Sequence, residues 1–301
     1  MIAQPTISAP ILDSQATWEA CRFLTCSVLP VRVACNLKCP FCFSKSSISS
    51  LQRDQPDWQS IDVEGYYQHA IDRGANRLVI TGGGEPLLRP DDVLYLVAVG
   101  GKYFDEIACF TNGTYLSSGL AGQLVDAGLS YVCYSRHHQC DEVAGQLMGP
   151  GTPRLEEFFT AAAGLKVRAT CVMARGYVDS VAKVHDYIDE LGSYGVREFT
   201  FKHTYVAYED SVFGASHQNR WAGDHQVEFD PFAQHGSVIA QLPWGPKIRR
   251  FGPYQVCYYH EPTPAWEKEN QLCRSINLLS DGTVYASLED ASSQLSRPAD
   301  C

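Results

Sequence analysis

"VACNLKCPFCFSKS", residues 33–46, holds three cysteines, Cys35, Cys39 and Cys42, within eight positions. Asn36 and Pro40 give the stretch the character of a turn rather than of a strand or helix. A disulfide framework would spread its cysteines along the chain, and a cluster this dense suits reduced thiolates gathered on metal. Cys109, Cys133 and Cys171 are different, because they sit inside the apolar runs "EIACF", "YVCYS" and "ATCVM". There a free cysteine behaves as a small hydrophobe. Structural zinc usually takes four ligands, often as two short-spaced pairs, and no second pair accompanies the triplet. An iron–sulfur cluster held by three thiolates keeps one iron open to an external ligand, so the missing fourth cysteine acquires a meaning.

Outward from the triplet, β-rich runs alternate with amphipathic ones. Residues 29–34, 76–81, 106–111, 129–135, 165–173 and 196–202 read as six strands. Residues 62–74, 90–101, 117–128, 152–164 and 177–195 read as helices, several opened by Asp, Thr or Ser and all closed by Gly. The alternation over 28–203 predicts an α/β fold with parallel strands and crossover helices. Six units are too few for a closed eight-stranded barrel, so a partial (β/α)6 TIM-like barrel is expected, with a doubly wound sheet as its rival. The expected division is an N-terminal segment over 1–27, a barrel over 28–222 and a small α+β extension capping it over 223–301. Only 34 residues precede the first cysteine of the triplet, too few for a separate domain. In the extension, "SINLLSDGTVYASL" reads as a hairpin about Asp281-Gly282.

The whole chain has 301 residues, with 24 Lys and Arg against 34 Asp and Glu, a net charge of −10. That balance disfavours nucleic acid and anionic membrane as partners. Neither a basic, apolar signal segment nor a run of about 18 apolar residues is present. The cytoplasm is the expected location.

With these motifs in order, the chain resembles a radical S-adenosylmethionine (SAM) enzyme. The residues that carry the resemblance are "CNLKCPFC" after the first strand, "TGGGEPLL" after the second, "FTNG" after the third and "YSRHH" after the fourth. All lie at C-terminal strand ends, where α/β barrels build their active sites. The resemblance implies that Cys35, Cys39 and Cys42 ligate a [4Fe–4S] cluster whose open iron chelates SAM, with Phe41 beside the adenine. It also implies that Gly83 and Gly84 let the backbone approach the methionine moiety, that Glu85 accepts from its amino group, and that Ser135 contacts the ribose. Arg175 is a looser match, for the SAM carboxylate. The implied chemistry is reductive cleavage of SAM to a 5′-deoxyadenosyl radical, fed by an electron donor such as flavodoxin or ferredoxin, and hydrogen abstraction from a small-molecule substrate.

Substrate-facing candidates are the remaining polar residues at strand ends. "SRHHQCD" offers Arg136, His137, His138, Cys140 and Asp141, with Cys140 a candidate hydrogen-atom donor and one of the two histidines facing substrate. In the sixth strand, period two puts Glu198, Thr200 and Lys202 on one face, expected to point into the barrel, where Glu198 and Lys202 alternatively pair with each other. The tail resembles the extension that many relatives use for an auxiliary cluster. Where a cysteine would follow "VY", however, this chain has Ala286-Ser287, which leaves Cys257, Cys273 and Cys301. A second cluster is not expected. Three functions remain open: a radical SAM enzyme tailoring a sugar, nucleoside or amino-acid derivative in natural-product biosynthesis, a maturase of ribosomally made peptides, and a non-catalytic iron–sulfur or zinc protein.

Overall fold

The computed structural model describes residues 18–52, 57–207 and 211–296. Six parallel strands form its frame: β1 (Arg22–Leu29), β2 (Leu78–Ile80), β3 (Ile107–Thr111), β4 (Tyr131–Ser135), β5 (Val167–Val172) and β6 (Glu198–Lys202). Helices α1 (Val63–Asp72), α2 (Pro90–Gly100), α3 (Ser118–Asp126), α4 (Asp141–Met148), α5 (Leu155–Ala161) and α6 (Val181–Ser193) connect strands β1 to β6. Side chains at their first turns supply the missing hydrogen bonds. Asp62 accepts from the Gly65 N–H at 2.9 Å, and Ser180 from the Lys183 N–H at 3.3 Å.

The first strand lies elsewhere than the sequence suggested. It runs over 22–29 rather than 29–34, so the boundary expected at residue 28 falls inside it. Its pattern explains the displacement. Cys26 and Val28 point to the helices, while Thr25 and Ser27 line an internal cavity. Small polar residues on that face weaken the strand signal. Helix α4 is not among the helices expected from the sequence; it begins at Asp141, the last residue of "SRHHQCD".

The tail builds α7 (His217–Asp224), β7 (Ser237–Gln241), β8 (Lys247–Phe251), β9 (Tyr254–Tyr259), α8 (Pro264–Asn270), β10 (Leu272–Leu279), β11 (Val284–Tyr285) and β12 (Gln294–Leu295). Its strands join the same sheet at both edges. β9 pairs in parallel with β6, and β10 in parallel with β1, placing Ser275 opposite Thr25. β9 and β10, joined through α8, do not pair with each other, and the sheet stays open between them. Side chains bridge the seam instead: Glu261, just beyond β9, meets Lys202 at 3.3 Å and also meets Arg274 of β10. The Asp281-Gly282 hairpin forms as expected, with Leu278 opposite Val284 and both buried beside Ile276.

The main core lies between the outer sheet face and the helices. Val28, Leu78, Ile80, Ile107 and Val132 pack there with Tyr67, Leu96, Val97 and Leu124. Each such side chain taken from water contributes about 1.5–3 kcal/mol. Among the described residues, no helix is long and apolar enough to cross a membrane.

Candidate active site

The chain leaves β1 into the cysteine loop, at the C-terminal edge of the sheet. The Leu37 N–H donates to Cys35 Sγ at 3.4 Å, and the Cys42 N–H to the Cys39 carbonyl at 3.3 Å. Cys35 is exposed, Cys39 and Cys42 half-buried. Burial, then the charges of Cys42 and Cys35, push the Cys39 thiol up to about 12. Burial likewise raises Cys35, with Glu85 and Cys42 adding to it. Thiols so placed ionise when a cation joins them. Among the described residues, no three Cys, His, Asp or Glu side chains gather as one metal ion requires. Three cysteine thiols on one short loop are the donor set that an iron–sulfur cluster with one open iron uses.

Two neighbouring turns clamp this loop. In the turn after β2, Gly83 has a φ of +90°, and a Cβ there would stand 1.9 Å from the Val31 carbonyl oxygen. The Glu85 N–H donates to the Ala34 carbonyl at 2.8 Å. The glycines thus let the turn press on the cysteine loop's own backbone. The buried Glu85 carboxylate accepts from the Leu87 N–H at 3.1 Å, the Thr111 hydroxyl at 2.6 Å and the Asn112 N–H at 2.7 Å. Burial raises its pKa, against these three bonds. Of about four acceptor sites on a carboxylate, one is left.

Asn112, in the "TNG" turn after β3, was given no role in the sequence reading. Its Nδ2 donates to Asn36 Oδ1 at 3.0 Å and approaches Cys35 Sγ at 3.7 Å. Only the recurrence of a turn motif at a third strand end signalled it.

Phe41 is buried edge-on against His137, ring centroids 4.8 Å apart, and lies 5.6 Å from Trp221 of α7. His137 Nδ1 accepts the Val172 N–H at 3.0 Å. Burial, helped by Arg136 and Lys202, lowers its pKa to about 3, so it is neutral and carries its proton on Nε2. Trp221 stacks on His225 at 3.9 Å, and Ser216, which caps α7, meets Ser46 at 2.9 Å. Trp221 was missed because its segment reads as polar and turn-rich.

The other expected site residues scatter. Ser135 ends β4, half-buried and opposite Thr170. Arg175 is exposed in the turn after β5, its N–H bonded to the His225 carbonyl at 2.8 Å. Arg136 is fully buried and pairs with Asp141 at 2.6 Å, holding the start of α4 rather than facing a cavity. His138 Nδ1 accepts the Cys140 N–H at 3.0 Å, and exposed Cys140 lies outside the linings of the cavities described below. Glu198 pairs with Lys166 and Arg168 rather than with Lys202.

A cavity of about 410 Å³ fills the barrel. Glu198, Thr200 and Lys202 line it as expected, and it reaches Gly82 and Gly83 of the glycine turn and Phe43 and Ser44 beyond Cys42. A second, of about 500 Å³, lies at the mouth, where Phe41, His203 and Tyr205 meet Lys202, Tyr259 and Glu261. Cys257 lines the inner cavity, whereas Cys273 packs in the core beside Cys21. Cys301 lies outside the described residues.

The sequence pattern of the radical SAM superfamily matches residues 29–188, more than half of the chain, and the chain belongs to that superfamily. Its cofactors are a [4Fe–4S] cluster and SAM. The chain is 33% identical over 146 residues to the GTP 3′,8-cyclase of Aliarcobacter butzleri, 47% of this chain and 44% of that protein. It is 31% identical over 155 residues to the enzyme of the same name from Nautilia profundicola, 48% and 46% of the two. It therefore spans less than half the length of these relatives. The crystal structure of Streptococcus suis SuiB bound to S-adenosylmethionine superposes with a TM-score of 0.56 at 15% identity, over 92% of this chain and 64% of that one. That likeness concerns the fold.

Proposed function

We propose that this enzyme holds a small polar substrate, a sugar, nucleoside or amino-acid derivative, in the barrel cavity and attacks it with a 5′-deoxyadenosyl radical. The observation that carries this reading is that the cavity reaches both the glycine turn and Phe43 and Ser44, the residues that follow Cys42. Cys35, Cys39 and Cys42 would hold the cluster, and Phe41, Gly83, Gly84, Glu85 and Ser135 would surround SAM. When bound, the pair supplies one-electron cleavage of SAM and a carbon radical. The chain's own part is positional. Asn112 and the glycine turn fix the cysteine loop, neutral His137 braces Phe41, and Trp221 with Phe41 keeps water from the site.

The chain's −10 charge supports a small molecule over nucleic acid or an anionic membrane as the substrate. A flavodoxin or ferredoxin would deliver the electron. Anaerobically reconstituted, dithionite-reduced protein should release 5′-deoxyadenosine from SAM, measured by liquid chromatography and mass spectrometry. A colourless protein that leaves SAM intact would sink the proposal.

A further inference from the structure

The cavity wall carries a charge opposite to that of the whole protein. Four cations line it, Arg77, Arg168, Lys202 and Arg274, against two carboxylates, Glu198 and Glu261. In a chain of net charge −10 this is a local positive field, and low-dielectric walls concentrate such a field.

Arg77 has Glu106 at 3.8 Å, and Arg168 shares Glu198, at 2.9 Å, with Lys166. At the gap between β9 and β10 one carboxylate again serves two cations: Glu261 pairs with Lys202 at 3.3 Å and with Arg274. Arg274 has Glu289 3.7 Å away, but burial pushes that carboxyl up to about 8, so it is largely protonated at neutral pH. Glu267, which accepts the Arg274 N–H at 2.9 Å, is likewise pushed up by burial, to about 7, so Lys202 and Arg274 together keep a partial positive surplus over Glu261. Lys202 is the freer of the two cations, since its ammonium has three donors and lines both cavities.

The rest of the wall is short and hydroxylic. Ser27, Thr170 and Thr200 face the cavity, and within the described residues their hydroxyls make no hydrogen bond. Hydroxyl groups lining a buried cavity favour a ligand that returns those bonds.

We propose that Lys202, backed by Glu261 and Arg274, is the subsite for an anionic group of the substrate, a phosphate or a carboxylate on a hydroxyl-rich small molecule. This rests on the proposed function and narrows its substrate class. The anion takes the place of solvent on the ammonium, and Glu261 stays on Arg274. The hydroxyls of β1, β5 and β6 then bind the polyol portion.

The test uses reconstituted, SAM-loaded protein and calorimetric titration with compounds that differ in charge. The probes are glucose 6-phosphate, gluconate and glucose, then uridine monophosphate and uridine. An anion is expected to bind at least about tenfold more tightly than its neutral counterpart in one series or both. The phosphate and carboxylate arms tell which group the site prefers. Lys202→Met should remove that preference and Lys202→Arg restore most of it, with circular dichroism and iron content reporting the fold of each variant. Equal or tighter binding of the neutral compounds overturns the inference and leaves the proposed function standing. So does an anion preference untouched in folded Lys202→Met. Failure of all five probes to bind overturns it too, while 5′-deoxyadenosine release, assayed separately, reports on the proposed function.

Discussion

Gly84 and Ala34 touch backbone to backbone: a Cβ on Gly84 would lie 1.7 Å from the Ala34 carbonyl oxygen. That oxygen also accepts the Glu85 N–H at 2.8 Å, so the turn after β2 and the cysteine loop share one hydrogen-bonded contact. Gly84→Ala must push the two apart. The expected outcome is a folded protein, by circular dichroism, that retains under half of the wild-type iron after reconstitution. Unchanged iron content would show that the contact does not position the thiols.

Replacing Cys35, Cys39 and Cys42 together with Ala should abolish visible absorbance and SAM cleavage, since their thiolates are the proposed cluster ligands. Cys109→Ala is the comparison. It trims a fully buried core side chain and should cost about 1 kcal/mol of stability, read by denaturant titration, with absorbance unchanged.

Trp221 closes the aromatic wall over Phe41. Trp221→Ala should bleach several-fold faster in air and bind SAM several-fold more weakly, with the same iron content at the start. Stopped-flow absorbance against oxygen concentration measures the first effect.

Glu289 retains its proton in the folded chain up to about pH 8, while the unfolded chain releases it near the ordinary value of 4.5. The folded state then binds more protons between these values, so this group's contribution to stability is present below the lower and is lost as pH rises through the higher. Glu289→Gln cannot titrate. Relative to wild type it should therefore gain stability from pH 5.5 to pH 8.5, on the order of 3 kcal/mol, followed by thermal melts across that range. A constant difference between the two proteins would refute the assignment.

One cluster per chain is expected, about four irons. Cys257 faces the cavity and Cys273 the core, so the pair does not converge on a common site. Changing both to Ser should leave the iron count unaltered. A count near eight that falls by half would reveal a second centre.

The spacing of three cysteines, the glycine turn and the β-α alternation are local in sequence, and they sufficed for the partial barrel and the superfamily. Each rests on patterns a few residues long: thiols four and three positions apart, helices opened by Asp62 and Ser180, strands with period two. β1 escaped because its signal depends on what faces it. Thr25 and Ser27 are polar since the barrel interior is a cavity, a fact no single strand contains. The remaining decisions belong to tertiary structure, where residues far apart in the chain meet. Asn112 reaches across 76 positions to Asn36, and Thr25 across 249 to the Arg274 carbonyl. The sheet's open seam brings together Lys202 at the end of β6, Glu261 just beyond β9 and Arg274 within β10. Pairing of this kind follows from how β9 and β10 add to opposite edges, and strand order is set by packing over the whole sheet rather than by any local propensity.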